Sequence, residues 1–257
     1  MIVDRFTGET YEILDFHAHL GTWPNFSQVY PDVAALQRAM DCCGIDRIVA
    51  SHTLTLTGEF SRGNEQTEKI SAAFPRVSGY VGVNPHYEKE SLAQLDRYLG
   101  KGCFCGIKLH PETHQYRIAD ERCQSIFRRA AQVRCPVLIH VMSEQCVRDC
   151  EKIAAQFPEM PLIMGHSGGV AYRELAVKTG CDAPNVYFDL TASVMEEGCV
   201  EWMVETAGAD RVVFGSDVPF VDPKHSVGQV LYSRLSAADK RKIFSENAKR
   251  ILSGVRF

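Results

Sequence analysis

The chain has 257 residues, 45% of them hydrophobic and 23% charged, with a formal net charge of -4. That is an ordinary globular composition with no run of lysines or arginines, which excludes a disordered chain and leaves no electrostatic footprint for nucleic acid or an anionic membrane. No apolar stretch reaches the roughly 18 residues of a membrane span, and Met1 to Thr10 lack signal-peptide order, so a small-molecule protein of the cytoplasm is expected.

In chain order, short apolar runs alternate with helix-like segments. The predicted strands are Ile13 to His17, Arg47 to Ser51, Val77 to Val83, Gly106 to Leu109, Pro136 to Val141, Leu162 to His166, Val186 to Leu190 and Arg211 to Gly215. Between and after them, apolar residues at three and four spacing predict helices over Val33 to Cys43, Glu65 to Phe74, Glu90 to Leu99, Glu121 to Val133, Cys146 to Phe157, Ala171 to Thr179, Glu196 to Ala207 and Ala237 to Leu252. Ser236 is placed to cap the last helix, and Gly44 and Gly100 fall just past helix ends, where glycine accepts a left-handed turn. The strands lack polar alternation, as in a parallel sheet covered by helices. Eight strand and helix pairs in one domain over 1–257 favour an α/β fold closed as a (β/α)8 TIM barrel, with an open doubly wound sheet as the second choice.

In a barrel the strand ends meet at one face, so the polar residues there are the candidate site. Strand one ends in His17-Ala18-His19, where positions i and i+2 share a face and present two imidazoles together. The fourth strand carries Lys108 and His110, the fifth His140, the sixth His166 and the eighth Asp217. Arg62, after the second strand, is a candidate clamp for a substrate carboxylate, because guanidinium binds one bidentately. Trp23 and Phe26 follow strand one and either roof a substrate or pack the loop; His52 and His86 follow strands two and three and either face the pocket or bond backbone; His114 and His225 read as surface residues. The ten cysteines are scattered without a Cys-x-x-Cys pair, as buried reduced thiols are, and the spacing of Cys103 and Cys105 is wrong for a zinc ribbon. No Gly-x-Ser-x-Gly elbow or phosphate-binding glycine motif is present.

These motifs, with Gly63-Asn64, Asn84-Pro85-His86, Gly106-Ile107-Lys108-Leu109-His110-Pro111, Gly165-His166-Ser167-Gly168-Gly169, Phe214-Gly215-Ser216-Asp217 and the closing Glu246 to Leu252, resemble the amidohydrolase superfamily. The branch resembled is amidohydrolase-2, which also contains zinc-dependent decarboxylases and hydratases. The resemblance implies that His17, His19, His140 and Asp217 bind one divalent ion, most naturally zinc, with His166 and Asp217 handling protons. In two-metal members a strand-four lysine is carbamylated and bridges the ions. A single ion is the more usual arrangement in the branch resembled, so one ion is favoured, with Lys108 and His110 binding an anionic or carbonyl group of the substrate, and two ions with a carbamylated Lys108 are the alternative. The function expected first is a metal-dependent hydrolase in which activated water attacks an amide, ester or lactone carbonyl. The alternative is a nonoxidative decarboxylase or hydratase of a small carboxylic acid, and a third class is a catalytically silent barrel. The resemblance also implies a homodimer, which no stripe in the sequence marks.

Overall fold

The computed structural model describes residues 1–24, 32–192 and 196–256. All eight predicted barrel strands are present, preceded by a small antiparallel ribbon of β1 (Ile2–Val3) and β2 (Thr10–Tyr11). The barrel strands are β3 (Leu14–Leu20), β4 (Arg47–His52), β5 (Val77–Gly82), β6 (Phe104–Leu109), β7 (Val137–His140), β8 (Leu162–Gly165), β9 (Val186–Asp189) and β10 (Val212–Val213). Each pairs in parallel with the next, from β3 round to β10. The ring is then drawn together by backbone hydrogen bonds between β3 and the chain leaving β10: Phe16 N to Phe214 O at 2.8 Å, Asp217 N to His17 O at 2.9 Å and His19 N to Val218 O at 2.7 Å.

Inside the ring, Leu14, Phe16, Val49, Tyr80, Leu138, Ile163 and Val213 form a buried cluster that Ala248 and Ile251 of the C-terminal helix join. Tyr80 keeps its hydroxyl satisfied there by donating to Phe16 O at 2.7 Å. Its ring needs the space that glycine leaves at 106, since a Cβ on Gly106 would stand 2.6 Å from Tyr80 Cδ1. A larger apolar cluster, including Ile13, Ala18, Ile48, Ile107, Ile139 and Phe188, fills the layer between barrel and helices.

Helix ends follow local chemistry. Asp32 and Ser143 accept hydrogen bonds from Ala35 N and Cys146 N, as capping residues do. Ser236 caps its helix as expected, accepting from Asp239 N at 3.1 Å, and Gly44 ends the first helix at φ 68°. Three differences from the sequence reading stand out. The second helix begins earlier and spans Phe60–Ala73. An additional helix, Pro223–Leu231, starts from the Asp222 cap. The predicted final helix is divided by a wide π-type turn over Lys242–Glu246, and Ile243 O accepts from Phe214 N at 3.0 Å, so a carbonyl of this stretch serves the barrel wall.

Candidate metal centre

The first barrel strand does not run in even register. Asp15 faces Ile48 of β4 and Ala18 faces Ala50, so three steps on β3 oppose two on β4. This bulge lets Phe16 join the inner cluster and still brings His17 to the side of His19, at 5.5 Å between ring centroids. Asp217 arrives from the other side of the seam in a left-handed backbone conformation, φ 60°, unusual for a residue with a Cβ. The buried Asp15 carboxylate fixes both parties, accepting from His17 N and Ser216 N at 3.1 Å each and from Ser216 Oγ at 2.5 Å. Burial pushes the Asp15 carboxyl up to about 7.

His17, His19 and Asp217 thereby place one donor atom each within 4.8 Å of one another. Asp217 Oδ1 stands 3.4 Å from His19 Nε2 and 3.7 Å from His17 Nε2, and it finds no hydrogen bond among the described residues. Lys108 Nζ lies 2.7 Å from His17 Nε2. The far side of the His17 ring meets Asp189 Oδ2 at 2.5 Å, and His19 Nδ1 lies 3.3 Å from Ser51 Oγ.

Burial lowers the pKa of both imidazoles, so they remain neutral and offer lone pairs. Burial pushes the Asp217 carboxyl up, but the facing His19, His166 and His17 outweigh it and hold it below the usual carboxylate range. Two neutral imidazoles and an ionised carboxylate oxygen without a hydrogen bond are a donor set that suits a divalent cation.

A family model described as amidohydrolase matches residues 14–253. The chain belongs to the amidohydrolase family. No curated protein sequence matches it. Among solved structures it is similar to a 2,6-dihydroxybenzoate decarboxylase complexed with 2,6-dihydroxybenzoate, at a TM-score of 0.80 and 13% identity over 95% of this chain and 99% of the other. It is also similar to a 5-carboxyvanillate decarboxylase from Sphingomonas paucimobilis, at 0.76 and 14% over 95% and 99%. A third is a dihydroxybenzoic acid decarboxylase from Polaromonas sp. JS666 with bound manganese and the inhibitor 2-nitroresorcinol, at 0.73 and 16% over 95% and 97%. At these identities the likeness is one of fold, a barrel of parallel strands with helices between them.

The other expected site residues of this family member lie around the three-donor group or apart from it. His140 stands outside the three-donor group, its Nδ1 2.9 Å from His166 Nε2. His166 is itself buried, with Nδ1 3.3 Å from Thr191 O and its ring centroid 4.8 Å from that of His17. Because the Thr191 carbonyl accepts only, His166 carries its proton on Nδ1, and the hydrogen between the two rings belongs to His140 Nδ1. His110 is buried between His19 and His140, at 5.8 and 5.9 Å between centroids, and its Nε2 has no hydrogen bond among the described residues.

Arg62 lies away from this group. It is exposed in the first turn of helix Phe60–Ala73 and pairs with Glu59 at 2.9 Å. His86 bonds to His114 O at 2.9 Å and to Arg122, the backbone-bonded alternative for that residue. His114, expected at the surface, is half-buried and stacks on Tyr116, whereas His225 is exposed. His52 accepts from Leu54 N at 3.1 Å, and burial holds it down at about 4. Trp23 is half-buried, and Phe26 lies outside the described residues. Phe220, at 4.9 Å from the His19 ring, and Asp189 were not singled out from sequence. The signal for Asp189 was its place at the end of the seventh strand, in Phe188-Asp189-Leu190-Thr191. All ten cysteines are free, and Cys42 alone is exposed.

Proposed function

We propose that this amidohydrolase-family chain is a divalent-metal-dependent nonoxidative decarboxylase of a small carboxylic acid with an aromatic or unsaturated carbon skeleton. The observation that carries the reading is Lys108, a buried ammonium 2.7 Å from His17 Nε2, beside His19 and Asp217. Burial lowers its pKa to about 8, so it remains largely protonated at neutral pH. An ion held by His17, His19 and Asp217, with zinc or manganese as candidates, would orient and polarise the substrate's oxygens. A carboxylate placed beside Lys108 would meet positive charge on both sides, in surroundings where such pairing is stronger than in water. A neutral amide or ester gains much less from a buried ammonium, so this arrangement favours an acid substrate, which decarboxylation requires and the hydrolysis expected first from the sequence does not.

In this reading Lys108 anchors the carboxylate and His110, whose Nε2 has no hydrogen bond among the described residues, supplies a second polar contact. The carbon–carboxylate bond breaks, its electron pair stays on the substrate carbon, carbon dioxide leaves, and that carbon takes one proton. His166 is assigned the delivery of that proton from Nε2, where it must first take one up from water, because its Nδ1 proton is held by Thr191 O. Similarity in fold to decarboxylases of hydroxylated benzoates supports the same substrate class.

The test is to load the purified protein with Mn2+ or Zn2+ and assay hydroxylated benzoates beside esters, amides and lactones. Carbon dioxide release matching substrate loss, abolished by a chelator, is expected. Cleavage of carbonyl substrates with no carbon dioxide from any acid would return the hydrolytic reading.

A further inference from the structure

Asp189 ends β9 and is 1% exposed, yet four donors converge on its carboxylate. Oδ2 meets His17 Nδ1 at 2.5 Å and accepts from His166 N at 3.2 Å. Oδ1 accepts from Thr191 N at 2.9 Å and from Thr191 Oγ1 at 2.5 Å. The chain leaving β10 crosses directly over this group. A Cβ on Gly215 would collide with Asp189 Oδ1 and Thr191 Oγ1 and would stand 2.8 Å from His17 Cβ, so only glycine lets that segment pass.

We propose that Asp189, held by Thr191, is the positioning residue that makes His17 a metal ligand. A neutral imidazole carries one proton, and a carboxylate against Nδ1 keeps it there. The lone pair is then confined to Nε2, the nitrogen that faces Asp217 and Lys108. Lys108 also donates to Nε2, but an ion bound there displaces that contact, so with Nδ1 unpaired nothing would hold the ring in the ligating tautomer as the ion exchanges. The same Asp189 oxygen also fixes the backbone of His166, which sits at φ 65°, so one side chain sets the orientation of residues on β3 and at the end of β8. Thr191 contributes by occupying Oδ1, which leaves Oδ2 aimed at His17.

The proposal rests on the metal reading above, and its experiment separates the two. Nitrogen NMR of the metal-free protein is expected to show His17 as the Nδ1–H tautomer. Mn2+ and Zn2+ titrations are expected to show Asp189→Asn weakening affinity about 10–100-fold, the range for partners of ligating histidines. Thr191→Val, which keeps the carboxylate and removes one of its anchors, should weaken affinity by less. An Nε2–H tautomer in the wild-type protein, or affinities within twofold of wild type in the folded variants, overturns the role of Asp189. If Asp189→Asn does not fold, the wild-type tautomer and Thr191→Val still decide. Wild-type protein that takes up no divalent ion overturns the metal reading, while the tautomer is measured independently.

Discussion

Lys108 Nζ donates to His17 Nε2 across 2.7 Å, joining the C-terminal end of β6 to the first strand of the barrel inside a buried site. With Lys108 binding the substrate carboxylate as proposed, one ion per chain is expected. Elemental analysis of the loaded protein should return close to one equivalent. A value near two, with extra mass on Lys108, would contradict this.

Lys108→Met keeps the volume and removes the charge. Hydrogen bonds to charged groups contribute about 1.5–3 kcal/mol, so kcat/KM for an acid substrate should fall about 10–100-fold. The lysine is desolvated, so the fold should tolerate the change. Unchanged turnover in a folded variant would remove the proposed carboxylate anchor.

Stability should depend on pH in a direction set by the buried site. His17, His19, His110, His140 and His166 are all held below the usual imidazole range, by burial first. Below about pH 6.5 the unfolded chain binds protons that these folded histidines do not, so stability is lost as pH falls. Each contributes a slope of up to about 1.4 kcal/mol per pH unit. Asp15 acts in the opposite sense: at about 7 its folded carboxyl keeps a proton that the unfolded one releases near 3.8, so its contribution weakens the fold as pH rises through that window. Lys108, at about 8 in the fold against 10.5 unfolded, adds stability as pH rises between those values. Burial raises Asp189 in the same sense as Asp15, and the five histidines outweigh these two carboxyls. The urea midpoint of metal-free protein should therefore drop steeply between pH 6.5 and 5, and a flat profile there would show that the rings are not held neutral.

Ser216→Ala removes the Ser216 Oγ donation to Asp15 and the acceptor that Val218 N uses at 3.1 Å. Leaving a buried carboxylate short of one donor should cost about 1–3 kcal/mol, visible as a lower urea midpoint. A loss under about 0.5 kcal/mol would mean that this link does not hold the seam.

Arg62→Ala should be close to silent. The side chain is 65% exposed and its pairing with Glu59 is a surface ion pair, a class that contributes about 0–1 kcal/mol. KM for acid substrates is expected to stay within twofold of wild type, and a tenfold rise would place Arg62 in the substrate's path after all.

The barrel and the pairing of His17 with His19 were legible because both depend on short periods, the eightfold strand rhythm and the i, i+2 spacing. The bulge at Phe16 and His17 was not, since an extra residue in one strand leaves no mark on local composition. Asp189 was missed for a related reason: a single aspartate at a strand end acquires meaning only from a histidine 172 residues away. Arg62 shows the converse, a side chain with suitable chemistry that the helix turns toward solvent and Glu59. Helix Pro223–Leu231 did announce itself through Asp222-Pro223, a cap followed by proline at the first helical position, but it is too short to display a clear apolar stripe.

The seam between β3 and the segment after β10 divides the donor set, with His17 and His19 on one side and Asp217 on the other. Uptake of a cation would consequently report that the earliest and latest parts of the barrel have met. A polypeptide not yet extended as far as Asp217 would possess both histidines and no partner carboxylate for them, so tight loading is expected only after synthesis has passed that residue.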